Sequence, residues 1–381
     1  MDFELSDEQR LLRDSLDRLL ADRYAFEARR ALAASPGGWS REVWAAYAEL
    51  GILGLPFAED DGGFGGGPVE TMLVMEALGG ALALEPYLAT VVVGGGFLRH
   101  GADAALRAEL APRVADGSLL LAFAQVEPQS RYDLGDVGTT ARRDGSGWTL
   151  NGRKGVVIHG DSADRLIVTA RTAGGARDRR GVGVFLVDAG AEGVSRHGYP
   201  TMDGGRGAEV LLHDARAEAV LGDPEDGLPL AERVADEAIA ALAAEAVGAM
   251  AAAQALTLDY LKTRKQFGVP IGSFQAVQHR AADMMVHLEQ TRSMAMYAAM
   301  MASEEDAAER RRAMHAVKVQ VGRAARRLGQ EAVQLHGGIG ITMEYAVGHY
   351  FARLTAIDAL FGDADRHLRL LSDAGGLIAA D

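Results

Sequence analysis

Hydrophobic and polar positions divide the chain into three stretches. From the start to about residue 118, apolar residues recur at helical spacing. Phe3, Leu5, Leu11, Leu12, Leu16, Leu19 and Leu20 form one stripe, with Ser6 and Asp7 as candidate caps. Trp44, Tyr47, Leu50 and Leu53 repeat that spacing. The glycine-rich run 62–67 closes on Pro68. It reads as a turn before a helix rather than a phosphate cradle, because no Lys-Ser or Lys-Thr pair follows. Between about 119 and 228 the period changes to short apolar runs: Leu119–Phe123, Trp148–Leu150, Val156–Ile158, Leu166–Ala170, Val182–Val187 and Val210–Leu212. Turn residues separate them, and Asp144-Gly145 and Asn151-Gly152 read as hairpin turns. From about 229 the helical period returns over Ala238–Leu261, Ala276–Met301 and the stripe Met314, Val317, Val321, Ala324, Leu328, Ala332, Leu335. Long helices with short connections predict an antiparallel bundle.

The expected class is therefore α+β: a helical domain over 1–118, a β-barrel-like domain over 119–228 and a four-helix bundle over 229–381. A length of 381 residues suits two or three packed units. The net charge of -14 opposes nucleic-acid binding and docking on an anionic membrane, both of which need a basic face. With no cysteine, disulfides and thiolate metal sites are excluded. The first ten residues are acidic and amphipathic, unlike a signal peptide. No apolar run approaches the roughly 20 residues of a membrane span. A cytoplasmic location without a membrane partner is expected.

Several local groups carry little chemistry. His279 and His287 share a helix but lack a third ligand at metal spacing. Ser130 has no His and Asp partners for nucleophilic catalysis. Met284, Met285, Met294, Met296, Met300 and Met301 read as bundle packing, and Arg310-Arg311-Arg312 as a solvated helix start.

Two segments stand out. One is Arg264-Lys265-Gln266-Phe267-Gly268, leading through Pro270-Ile271-Gly272-Ser273-Phe274 to Gln275. The other is Gln334-Leu335-His336-Gly337-Gly338-Ile339-Gly340, followed by Glu344-Tyr345. An arginine offers planar, bidentate donors to a pyrophosphate. Adjacent glycines let backbone N–H groups approach phosphate oxygens where a Cβ would collide. Phe267 offers a face to a flat ring. With Val126-Glu127-Pro128 and Leu150-Asn151-Gly152-Arg153-Lys154, these motifs resemble, in order and over essentially the whole chain, the acyl-CoA dehydrogenase family.

The resemblance implies FAD and α,β-dehydrogenation of an acyl thioester, carried by CoA or a carrier protein. In that chemistry a glutamate takes the α-proton and flavin N5 takes hydride from the β carbon. Arg264, Gln266, Phe267, Gln275 and Gln334, Leu335, His336, Gly337 and Gly338 would reach FAD held mainly by a neighbouring subunit. Gln125, Val126, Ile158 and Asp363 would fall at the chain's own cofactor site.

The pattern also departs from the family. Phe361 stands at the usual base position, and Ala238 at the position used by the isovaleryl- and long-chain-like branches. Glu237 is adjacent to Ala238, but one helical residue turns it by about 100 degrees. Ile239 replaces the family arginine; Val126 and Ile158 replace threonines at the flavin edge, with Gln125 as a replacement amide. Gln129–Asp133 replaces a glycine-rich substrate turn, and Asp363 and Asp365 replace neutral contacts. What a subunit gives its own site is eroded; what it donates to a neighbour is kept. That asymmetry resembles the base-lacking subunits of heteromeric bacterial acyl-CoA dehydrogenases. Three readings stay open: a partner subunit completing a shared FAD site, a self-sufficient homo-oligomeric flavoenzyme with a displaced base or variant chemistry, and a flavin-free structural module.

Overall fold

The computed structural model describes residues 4–145 and 147–376. Its helices are α1 (Asp7–Arg23), α2 (Phe26–Ala33), α3 (Arg41–Glu49), α4 (Pro68–Ala81), α5 (Gly95–Gly101), α6 (Ala104–Ala115), α7 (Leu228–Thr263), α8 (Gln275–Met301), α9 (Ala307–His336), α10 (Ala346–Ala359) and α11 (Ala364–Asp373). A π-helical stretch, Leu88–Gly94, leads into α5. The strands are β1 (Leu121–Ala124), β2 (Thr140–Asp144), β3 (Gly147–Ile158), β4 (Arg165–Arg171), β5 (Val182–Asp188), β6 (Val194–Pro200), β7 (Arg206–Arg216), β8 (Ala219–Leu221) and a small hairpin, β9 (Lys265–Gln266) with β10 (Val269–Pro270). The order of helices, strands and helices is the one the periodicity predicts.

Two compact units form. One comprises, among the described residues, 4–31, Pro68–Ala83 and 239–376. In it α4 and α7 meet backbone to backbone. A Cβ on Gly79 would lie 2.1 Å from the Glu245 carbonyl oxygen, and one on Gly248 would lie 1.8 Å from that of Glu76. No other residue fits at either position. Glu245 of α7 receives both Nε and Nη2 of Arg353 on α10, at 2.6 and 2.8 Å. In α9 the stripe from Met314 to Leu335 is buried throughout.

The second unit holds Leu32–Gly67 and Leu84–Ala238. Its eight-stranded sheet runs β6-β7-β3-β2-β4-β5-β8, with β1 parallel to β4. Its core packs Leu150, Val157, Leu166, Val168, Phe185, Val187 and Val210 against one another. Each such side chain contributes about 1.5–3 kcal/mol on leaving water.

Several expectations need correction. Leu11 is 64% exposed while Leu16 and Leu20 are buried, so the α1 stripe is narrower than its sequence reads. Ser6 caps α1 in a reciprocal capping box with Gln9; Asp7 only follows it. Phe3 lies outside the described residues. Leu50 follows α3 and is partly exposed, whereas Trp44, Tyr47 and Leu53 are buried. Asp144 does pair with Gly147 across a tight turn. Asn151-Gly152 is no turn: it lies within β3 at a register shift against β7. Gly152 is there because a Cβ would sit 2.4 Å from Thr139 Oγ1. Arg310 is no solvated residue. It is 5% exposed, and its Nη1 donates to the Glu304 carbonyl at 2.6 Å. The methionines of α8 divide, with Met284 buried but Met285 and Met300 partly exposed.

The expectation that no apolar run reaches span length also fails. By length and composition α7 could cross a membrane, with a window of mean hydropathy 1.6. Its apolarity is diluted among alanines, and 78% of that window is buried inside the protein, the pattern of a core helix.

Candidate functional site

Helix α7 ends at Thr263, and the chain folds into the β9–β10 hairpin. Gln266 pairs with Val269 and Lys265 with Pro270, leaving a two-residue turn at Phe267-Gly268. Both turn residues have positive φ, 53° and 85°. That suits the right-handed twist of a hairpin. For phenylalanine it is costly, about 1–2 kcal/mol. Phe267 is also 92% exposed, with only an edge contact to Phe274 at 6.2 Å. Arg264 and Gln266 are exposed, and among the described residues neither side chain has a hydrogen-bond partner. Gln275, the first residue of α8, is exposed as well.

The second motif closes α9. Leu335 and His336 are buried, while Gln334, Gly337 and Gly338 are exposed. The His336 ring stacks on Tyr260 at 4.6 Å and meets Tyr345 at 5.0 Å. Its Nδ1 lies 2.8 Å from the Ala332 carbonyl and therefore carries the proton. Burial pushes the imidazole pKa down, against the pull of that carbonyl. Tyr260 is one helical turn before Arg264, so this stack brings the two motifs together. Gly337 has φ 64° and ψ -139°, a conformation essentially reserved for glycine. Gly338 has no such need, and a Cβ there would meet nothing within 4 Å. Neither backbone strain nor internal packing explains a glycine at 338; a group approaching from outside the chain would. This donor set fits a dinucleotide phosphate: an unpaired guanidinium, exposed amides and an accessible glycine backbone.

The other expected positions lie apart from these. Gln125 and Val126 are half-buried just after β1, and Ile158 is half-buried at the end of β3. Hydrogen bonding joins the two segments, Gly155 N–H donating to the Val126 carbonyl at 2.8 Å. Between Gly155 and Ile158 stands Val156, which sequence reasoning passed over. It has φ 47° and is half exposed. A β-branched residue in left-handed backbone is a strained outlier, of the kind that collects at functional sites. Nothing in a residue string marks it.

At the positions where the sequence resemblance expects a base, neither Ala238 nor Phe361 carries a side chain that can accept a proton. Ala238 and Ile239 are buried apolar residues of α7. Glu237 lies 2.7 Å from Arg99 Nη2, 2.7 Å from His100 Nε2 and 3.3 Å from Arg233 Nε. Burial pushes its carboxyl up, but the His100 hydrogen bond and the arginines outweigh it and hold the pKa at about 2. It is a structural anion.

Phe361 is half-buried, with φ 58°. Its carbonyl accepts from His367 Nε2 at 2.9 Å, and His367 Nδ1 faces His315 Nδ1 at 3.0 Å. His367 must therefore present a bare Nδ1, and His315 donates to it. Burial, first of several causes, pushes this pair down to about 3 for His315 and about 4 for His367. Lys318 Nζ donates to the Ile357 and Asp358 carbonyls, and the Asp358 carboxylate receives Ala364 N–H. Asp363 caps α11, accepting from Arg366 N–H at 2.8 Å. The turn at Phe361 is thus held by a network of buried hydrogen bonds.

A cleft of about 790 Å³ between α1, α4, α7 and α10 holds none of the expected cofactor residues. Asp17, which lines it, has a raised pKa, from burial first and then from Asp14 and Glu76. Among the described residues no group of three His, Asp or Glu is placed to hold a metal ion. Ser130 is occupied in a local turn, its Oγ donating to the Glu127 carbonyl.

Comparison with known proteins adds to this geometry. Models of the acyl-CoA dehydrogenase N-terminal, middle and C-terminal domains match residues 6–118, 122–214 and 225–375. The chain is 32% identical over 356 residues to the probable acyl-CoA dehydrogenase YngJ of Bacillus subtilis, covering 91% of this chain and 92% of that one. Among solved structures, the Tcur3481-Tcur3483 steroid ACAD superposes with a TM-score of 0.88 at 31% identity, covering 97% of each chain. The ChsE4-ChsE5 complex from Mycobacterium tuberculosis superposes at 0.87 and 27% identity, covering 98% of each. The chain belongs to the acyl-CoA dehydrogenase family of flavin-dependent oxidoreductases.

Proposed function

We propose that this chain is a subunit of an oligomeric acyl-CoA dehydrogenase that completes an FAD site held mainly by a related subunit. The oligomer would dehydrogenate an acyl thioester between its α and β carbons. Arg264, Gln266 and Phe267 of the hairpin would grip the cofactor from outside, with Gln275 and the Gln334–Gly338 turn. FAD supplies the hydride acceptor when bound. This chain's residues supply phosphate donors, a ring face and a fixed backbone, while the proton acceptor comes from the partner.

One observation carries the reading. Arg264, Gln266, Phe267, Gln275, Gln334, Gly337 and Gly338, which the family resemblance directs outward, are exposed, while His336 between them is buried against Tyr260; Phe361 and Ala238, where the resemblance expects a base, are apolar. Two acids close in sequence to those positions are already committed, Glu237 to Arg99 and His100 and Asp358 to Arg326. The two solved relatives whose names join two proteins, Tcur3481-Tcur3483 and ChsE4-ChsE5, support a paired subunit.

The test is the visible spectrum of the purified chain, made alone and co-expressed with a base-bearing relative. A colourless chain that becomes yellow only in the co-complex is the expected result. A chain that is yellow alone, and is bleached by an acyl thioester, would replace this reading with a self-sufficient enzyme.

A further inference from the structure

The cleft between α1, α4, α7 and α10 is lined entirely by residues of the first unit, none of them assigned to the cofactor. At about 790 Å³ it has the size of a pocket for a small organic molecule. Much of its lining is apolar. Leu20, Leu73 and Leu82 are buried, and Ala77, Ala81, Ala251 and Ala252 are half-buried beside them. The close crossing of α4 and α7 explains glycine at 79 and 248, where a Cβ would strike backbone. It does not explain alanines that face open space. A larger apolar side chain there would fill the cleft and bury area at about 25 cal/mol per Å².

The charges of the lining are unbalanced. Four acids, Asp14, Asp17, Glu76 and Asp259, stand against two arginines, Arg13 and Arg29. Arg29 is buried and committed inside, donating to the Leu82 carbonyl and to His349 Nδ1. Glu76 is met by Arg292 Nη1 at 2.6 Å. Asp14, Asp17 and Asp259 are exposed, and among the described residues none of their carboxylates has a hydrogen bond or ion pair. Of the lining cations, Arg13 alone is left to set against three acids. The crowding is felt at Asp17, whose carboxyl is pushed up by burial first and then by Asp14 and Glu76, against the pull of Arg13. A cleft with one sign of charge and low-dielectric walls concentrates its field on a counter-ion. Tyr24, Phe26 and Tyr350 also line it, and aromatic rings attract cations and pack against flat apolar bodies.

We propose that this cleft is a binding site for a small organic amine, its ammonium group set among Asp14, Asp17 and Asp259 and its apolar body against the alanines, leucines and aromatic rings. An anionic acyl thioester would be repelled by the same acids, so the guest is not the substrate of the proposed reaction. No flavin is needed for it to bind.

Phenethylamine, hydrocinnamate and phenethyl alcohol, which share an aromatic body and differ in head group, test it by calorimetric titration into the full chain in neutral, low-salt buffer. Saturable binding of the amine is expected, with hydrocinnamate weaker by about tenfold or more. In Asp17→Asn/Asp259→Asn the amine should lose about tenfold in affinity while the uncharged alcohol is unaffected. Ala252→Leu, which fills the cleft, should weaken both. No saturable amine binding, equal affinity for amine and hydrocinnamate, or parental amine affinity in the asparagine variant would each overturn the site. Undiminished amine binding in folded Ala252→Leu would place the amine elsewhere and overturn it too. Should Ala252→Leu fail to fold, the asparagine variant decides alone, since both of its changes are to exposed side chains. Flavin absorbance of the same samples reports on the shared FAD site separately, so either reading can fail without the other.

Discussion

Two regions of the chain treat their polar groups in opposite ways. Around Glu127, Lys154 and Glu237, each charge is turned inward and met by fixed partners: Glu127 by Lys154 and two backbone N–H groups, Glu237 by Arg99, His100 and Arg233. Around Arg264–Gly268 and at Gln334, polar side chains stand in solvent, and a phenylalanine is held exposed in left-handed backbone. The first region accounts for itself through stability and geometry. On the proposed reading, the second is completed by something outside the chain. Backbone strain such as that at Phe267 is informative because a folded chain tends to remove it unless it serves a purpose.

This contrast predicts which substitutions harm the lone chain and which harm only the assembly. The largest effect should come from Glu237→Ala, which removes the carboxylate that Arg99 and His100 share. A loss of about 3–5 kcal/mol is expected in urea unfolding of the chain by itself. Acid should reproduce part of it. The carboxyls of Glu127 and Glu237 are each held at about 2 when folded, against 4.5 when free. A depressed folded pKa gives stability that is complete above the free value and lost as pH falls towards 2. For Glu237 that amounts to about 3 kcal/mol. Unfolding free energies that stay flat between pH 6 and pH 3 would contradict this account of the inward region.

Arg264→Ala should behave in the opposite manner. With no internal partner to lose, the chain's own stability should change by less than about 0.5 kcal/mol. FAD occupancy of the co-complex should fall, since a charge-assisted phosphate contact contributes about 1.5–3 kcal/mol. Equal occupancy in parent and variant, by flavin absorbance per subunit, would remove the arginine from the site.

The smallest effect is the sharpest test of the contrast. Phe267→Gly relieves left-handed strain and removes little buried area, so the lone chain should gain about 1 kcal/mol. The same change should weaken the FAD-bearing assembly. Stabilisation with undiminished flavin binding would mean that the exposed ring serves nothing outside the chain.

Much of the architecture could be read from periodicity, because the information is local. The stripe from Met314 to Leu335 and the short apolar runs after Leu119 each report which face of an element is buried. Errors fell where a local signal has two uses. Asn151-Gly152 carries turn residues, yet the glycine makes room for Thr139 within a strand. Arg310 belongs to a charged run but turns inward to the Glu304 carbonyl. Alanine-rich α7 conceals its apolarity from a search for continuous large side chains.

The sequence by itself determined the kind of each main element, their order and the family, since spacing and motif order survive without coordinates. It also determined that Phe361 and Ala238 cannot act as bases, because side-chain chemistry needs no geometry. Only the tertiary structure decided which charges are spent internally. Whether Glu237 is a free carboxylate or one held by two arginines and a histidine depends on where α5 brings Arg99 and His100, more than 130 residues earlier in the chain. The strain at Phe267 and Val156 was likewise invisible beforehand, for backbone dihedrals are set by the surroundings a residue is forced into, not by its name.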